Sequence, residues 1–196
     1  MVSLRIPLHY VNIFTMEKIL IICVVFLLVL PACEKEESPP SDKGDITVSS
    51  EIFGSTVYYV NGYSFEEEKF IPNLNSKGTP DIVCQNVLDK TGSVIGMMIS
   101  AFGVSSFGFY KNFESRSFTE AEEFFSGYKT VEVEQFYPLS DTIQAGQVYT
   151  FRTTKKNYVK ILVKDVRIKN DSPLSDYVEA DIRYYIQRDG AEVFDE

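Results

Sequence analysis

Residues 177–187 alternate strictly. Val178, Ala180, Ile182, Tyr184 and Ile186 fall on one side of an extended chain, and Glu179, Asp181 and Arg183 on the other. Successive side chains of a strand point to opposite faces, so this period of two commits the segment to a sheet with one face on an apolar core. A helix would scatter the same residues around its circumference. Upstream, residues 158–166 place Val159, Ile161 and Val163 inward and Lys160 and Lys164 outward. Residues 147–153 read as a third strand. Together they predict an antiparallel meander with one wet face.

Strand signals dominate the rest of the chain as well. Residues 56–60 are β-branched and aromatic, and Asn61-Gly62 reads as a turn into a second short strand, 63–65. Residues 71–80 form a loop rich in Pro, Asn, Ser and Gly. Residues 81–88 and 93–102 are strands joined by Asp89-Lys90-Thr91-Gly92, a hairpin turn, and 106–110 is a further candidate. One helix interrupts them. Thr119 and Glu122 fit a capping box, while Phe118, Ala121, Phe124, Phe125 and Tyr128 recur at helical spacing. The expected fold is mainly β in the α+β class: an antiparallel, sandwich-like domain over residues 46–196 with one amphipathic covering helix. Residues 34–45 carry no apolar side chain except two prolines and read as a disordered acidic tether, reaching at most about 40 Å.

The N-terminus has its own grammar. Lys18 precedes a twelve-residue apolar run, 19–30, which ends in Leu30-Pro31-Ala32-Cys33 and the charged burst Glu34-Lys35-Glu36-Glu37. A basic start, about 7–15 apolar residues and a small residue at the cut make a signal peptide. The run is shorter than the roughly 20 residues that cross a bilayer. Residues 1–32 are therefore expected to leave, with Met16 a better start than Met1. The small residue followed by cysteine resembles the lipobox of bacterial lipoproteins, in which the thiol receives diacylglycerol and becomes the new N-terminus. Cleavage between Ala32 and Cys33 and lipidation of Cys33, palmitate included, are what this resemblance implies. The acidic residues after Cys33 resemble the surface-export signal of Bacteroidota lipoproteins, which implies the outer membrane and the cell surface.

Composition closes several doors. The full chain carries 19 basic and 28 acidic residues, and loss of Arg5, Lys18 and Glu17 leaves a mature net charge of −10. Nucleic acid, whose phosphates need a basic surface, is an unsuitable partner. The only histidine, His9, lies in the discarded segment, which removes Ser-His-Asp chemistry, histidine general bases and imidazole metal ligands. Cys23 leaves with the signal and Cys33 is acylated, so Cys84 stands alone in an apolar run as a small buried hydrophobe. Neither a metal nor a cofactor is implied, and the chain is not read as an enzyme.

Charge is unevenly spread. Residues 152–188 hold nine basic and five acidic side chains, so the remainder of the mature chain is strongly negative. On the meander, Arg152, Tyr158, Lys160, Lys164, Arg183 and Tyr185 would share the solvated face and form a candidate site for an anionic glycan or another small anionic ligand. Alternating lysines equally serve to keep a wet sheet soluble and unpaired at its edges. Glu66-Glu67-Glu68 reads as a solvated acidic turn, since neighbours on a strand do not converge on one cation. Glu132, Glu134 and Asp141 are the carboxylates available to a small glycoside hydrolase, an alternative that needs a facing pair about 5–9 Å apart.

Three stretches, 146–153, Tyr158-Val159-Lys160-Ile161 and Asp181-Ile182-Arg183-Tyr184, resemble the C-terminal hairpins of HmuY-like lipoproteins of Bacteroidota, and Pro80-Asp81-Ile82 is similar to an earlier element of that family. The resemblance implies a β-rich fold and, as an alternative function, haem binding through histidine or methionine pairs. No histidine survives processing, and Met97 and Met98 are neighbours on a strand that face opposite ways. The functional expectation is a lipid-anchored surface protein with a non-catalytic ligand-binding or accessory role.

Overall fold

The computed structural model describes residues 42–74, 78–102, 108–133 and 135–194. All of them belong to one unit, Pro40–Glu196. The signal segment, Ala32, Cys33 and most of the tether lie outside the described residues.

Among the described residues ten strands and one helix follow in order: β1 Lys43–Ser49, β2 Ile52–Phe53, β3 Tyr59–Ser64, β4 Lys69–Pro72, β5 Ile82–Leu88, β6 Val94–Ala101, β7 Gly108–Glu114, α1 Phe118–Gly127, β8 Gln147–Arg152, β9 Tyr158–Lys169 and β10 Tyr177–Gln187. They form two antiparallel sheets, β1-β10-β9-β8-β7 and β2-β3-β5-β6, with β4 added to β3. The first strand starts at Lys43 and pairs with Tyr185, three residues before the expected domain start at Ile46. The fold is the expected mainly β domain with one covering helix.

The alternation of β10 works as predicted. Val178, Ala180, Ile182, Tyr184 and Ile186 enter the core between the sheets, where Val159, Ile161 and Val163 of β9 join them. Facing them from the second sheet are Tyr63, Ile82, Cys84, Met97 and Ile99. β9 is longer than expected because it carries a bulge: Ile182 pairs with Val163 but Asp181 pairs with Asp165, leaving Lys164 as the extra residue. The insertion resets the phase of the strand, so that Val166 packs against the same core as Val163.

Asn61-Gly62 is not a turn. Both residues lie inside β3, and Gly62 sits where β5 crosses close by: a Cβ there would be 2.5 Å from the Ile82 carbonyl oxygen. The glycine serves close backbone approach rather than chain reversal. The Asp89–Gly92 hairpin forms as expected, with Asp89 Oδ1 accepting from the backbone N–H groups of Thr91 (2.8 Å) and Ser93 (2.9 Å).

Residues 137–143 close one side of the sandwich. Tyr137 exchanges backbone hydrogen bonds with Phe109 of β7 (2.7 and 2.9 Å), while Pro138 and Ser140 bond to Ala101 and Ile99 of β6 (2.8 and 2.9 Å). Both sheet edges there are thereby covered.

The helix is capped by Ser117, whose side chain accepts from the Glu120 N–H at 3.4 Å, two residues before the expected Thr119 cap. It lies on the outer face of the β1-β10-β9-β8-β7 sheet. Ala121 and Phe125 pack there with Val131, Val148, Tyr158, Leu162, Tyr185 and Phe194 in a second, smaller core.

Candidate ligand-binding face

That second core changes the fate of the predicted basic face. Lys160 was expected in water, yet its relative exposure is 0%. Its Nζ donates to the carbonyl oxygens of Phe125 (3.0 Å) and Tyr128 (3.2 Å), at the end of the helix. The ammonium also lies 4.9 Å from the centre of the Phe125 ring and 5.4 Å from those of Tyr185 and Phe194. The final carbonyls of a helix lack intrahelical partners and carry the negative end of its dipole, so a cation there is well placed. Strand alternation distinguishes the sandwich core from the other side; it does not reveal that a helix and a C-terminal segment cover that other side.

The remaining predicted residues separate into three groups. Tyr158 and Tyr185 are buried beneath the helix and residues 192–194. Lys164 and Arg183 are drawn into surface ion pairs: Lys164 lies 3.5 Å from Asp45, and Arg183 reaches Asp45 at 3.1 Å and Glu122 at 2.6 Å. Partly exposed pairs of this kind contribute about 0–1 kcal/mol each, and they occupy the charges. The six side chains thus do not make one continuous exposed patch. Arg152 differs from the others.

Arg152 ends β8 and pairs with Tyr158 across the β8–β9 turn. Its guanidinium carbon lies 5.7 Å from the Tyr158 ring centre, a cation–π contact. The buried Nε has no hydrogen-bond partner, and the guanidinium makes no ion pair among the described residues. It lines a groove of about 650 Å³ together with Lys155, Lys156, Asn157, Arg188 and Glu192. The turn is tight: Lys156 adopts a left-handed φ of 69°, and its N–H donates to the Thr153 carbonyl at 3.0 Å.

Not every cation in the groove is equally available. Arg188 reaches Asp42 at 3.1 Å, Glu68 at 3.2 Å and Glu66 at 3.7 Å, so three carboxylates balance it. Lys155 has only a loose contact with Glu66, at 3.9 Å. Lys155 and Lys156 were legible only as members of the basic run, because the turn geometry that brings them beside Arg152 has no alternation to read.

Glu66 departs from the solvated turn expected for the triple glutamate. Its side chain is only 8% exposed. One oxygen accepts from Thr153 Oγ1 (2.9 Å) and Asn157 Nδ2 (2.8 Å), tying the second sheet to the β8–β9 turn. Asp81 is the other buried acid. Its Oδ2 accepts from the Phe65 N–H (2.8 Å) and Ser64 Oγ (3.1 Å), and burial pushes its carboxyl up to about 6 despite those bonds. Neither Glu66 nor Asp81 lines the groove at Arg152.

Of the carboxylates available for hydrolysis, Glu132 lines a groove beside Tyr110, whereas Asp141 is paired with Lys111 at 2.7 Å and lines a different one. Glu134 lies outside the described residues. Among the described residues no three His, Cys, Asp or Glu side chains converge to hold a metal ion. Met97 is fully buried in the sandwich core, and Met98 sits half-buried on the opposite face of β6. Burial pushes the Cys84 thiol up to about 12, which keeps it protonated and inert. In comparison with known proteins, no family model matches this chain and no curated protein shows significant similarity to it.

Proposed function

We propose that the chain is a lipid-anchored, surface-facing lipoprotein of the outer membrane with a non-catalytic, ligand-binding role, and that it holds an anionic glycan at Arg152. The observation that carries the ligand reading is an arginine left without an ion-pair partner in a groove, beside an aromatic ring and two turn lysines. A guanidinium matches a uronate carboxylate or a sulfate ester through two parallel hydrogen bonds, and such charge-assisted bonds are about twice as strong as neutral ones. Lys155 and Lys156 add long-range attraction, and Tyr158 backs the guanidinium plane. The chain as a whole is acidic, with a net charge of −9, so attraction of a polyanion depends on local clusters of cations such as this one.

Cys33, acylated after cleavage at Ala32, supplies the membrane attachment. Each buried methylene contributes about 0.8 kcal/mol, so several acyl chains make it durable. Affinity electrophoresis through gels containing polygalacturonate or dextran sulfate tests the ligand reading. Retardation of the native chain in at least one gel, lost in the double variant Arg152→Glu, Lys156→Glu, is the expected outcome. Equal mobility of the two proteins in both gels overturns it. Labelling cells with radioactive palmitate tests the anchor separately: the label is expected on the native chain and absent from Cys33→Ser.

A further inference from the structure

A second groove opens on the same outer face, toward β7. It has a volume of about 670 Å³ and is lined by Tyr110, Asn112, Phe124, Tyr128, Thr130 and Glu132 among others. Its aromatic side is ordered. Phe113 stacks on Phe124 with centroids 4.5 Å apart and planes at 9°, and Phe124 stacks on Tyr128 at 5.6 Å and 15°. Tyr110, paired with Thr150 across the strands, is 39% exposed at the rim.

The polar groups beside this stack are held in place. Thr150 Oγ1 donates to Asn112 Oδ1 at 2.7 Å, and Asn112 Nδ2 donates to the Tyr128 hydroxyl at 3.0 Å. The Thr150 and Tyr128 hydroxyls lie 3.0 Å apart. A carboxamide has two N–H donors, and the second of Asn112 has no acceptor among the described residues. Glu132, exposed on the same groove, makes no hydrogen bond or ion pair with any described residue. Lys129 and Glu132 bring opposite charges, so the groove carries no net charge of its own.

We infer that this groove binds an uncharged pyranose ring. The apolar C–H face of such a sugar packs on an exposed aromatic side chain, here Tyr110, and its hydroxyls need planar amide and carboxylate groups, here Asn112 and Glu132. The base of a nucleotide would also stack, but the nucleotide's phosphates would meet an acidic chain, net −9 in full and −10 once processed. The inference rests on the glycan-binding reading of this face but not on Arg152. The two grooves are close: Thr150, opposite Tyr110, and Arg152 are two residues apart on β8, about 7 Å along the strand. One oligosaccharide with both neutral and acidic units would then engage both.

Titration calorimetry of the full chain in a zwitterionic detergent, with cellohexaose, laminarihexaose and mannohexaose as probes, tests this. At least one probe is expected to bind, with affinity falling tenfold or more in Tyr110→Ala, retained in Tyr110→Phe and unchanged in Arg152→Glu. Failure of all three probes, or equal binding by Tyr110→Ala, overturns the inference. Loss of polyanion binding alone in Arg152→Glu bears on the first groove, so the two readings fail separately.

Discussion

At the residue scale, Lys160 and Asp81 show how burial redirects ionisable groups. Lys160 joins the carbonyls of Phe125 and Tyr128 to the sheet, so Lys160→Met keeps the volume and orphans two acceptors. An unsatisfied buried polar group costs about 1–3 kcal/mol. The variant is expected to lose about 2–4 kcal/mol in urea unfolding, and an unchanged midpoint would remove the lysine from the helix attachment. Asp81 acts through pH. Its carboxyl titrates at about 6 in the folded chain and 3.8 in its ordinary state. The folded state therefore binds its proton more tightly, and the stability this confers is complete below about pH 4 and lost as pH rises through 6. Asp181 slopes the other way: Arg167 and Thr47 hold it near 2, so its contribution is present above 3.8 and lost as pH falls toward 2. Asp81→Asn keeps a single oxygen able to accept both bonds now made to Oδ2. It is expected to flatten the decline between pH 4 and 6.5, by about 1–3 kcal/mol, in denaturation curves across that range. A decline as steep as that of the native chain would show that Asp81 does not titrate there.

At the element scale, legibility followed periodicity. Residues 177–187 are legible to the residue because five core side chains alternate without a break. Asn61-Gly62 misled, since the same dipeptide serves a tight turn and a close strand crossing, and only the neighbouring Ile82 carbonyl tells them apart. Helical spacing marks the helix, but its cap is Ser117 and not Thr119. Ser117 and Glu120 have the same spacing as Thr119 and Glu122, and Glu122 is instead engaged by Arg183 at 2.6 Å. Ser117→Ala is therefore expected to cost about 0.5–1 kcal/mol in thermal unfolding, and Thr119→Ala less. The reverse order would restore the cap to Thr119. The ligand face was legible only in part. The basic run was plain, but its division into buried Lys160, paired Arg183 and unpaired Arg152 depends on a helix and tail folding over the sheet.

At the scale of the whole molecule, two sheets pack into an acidic body, and a helix divides the outer face of the β1-β10-β9-β8-β7 sheet into grooves. The groove at Arg152 is lined by four basic side chains, of which Arg188 is balanced by carboxylates, against Asp189 and Glu192. Binding there is expected to weaken with salt, because partly exposed charges are screened over a Debye length of about 8 Å at physiological ionic strength. The most direct measurement follows the Arg152 Nε–Hε resonance by nuclear magnetic resonance during titration with oligogalacturonate at low salt. A saturable shift of that resonance, reversed by sodium chloride and absent with neutral oligosaccharide, is the predicted result. A resonance that stays fixed throughout the titration, whether or not the oligomer binds elsewhere, contradicts the assignment of this groove as the anion site.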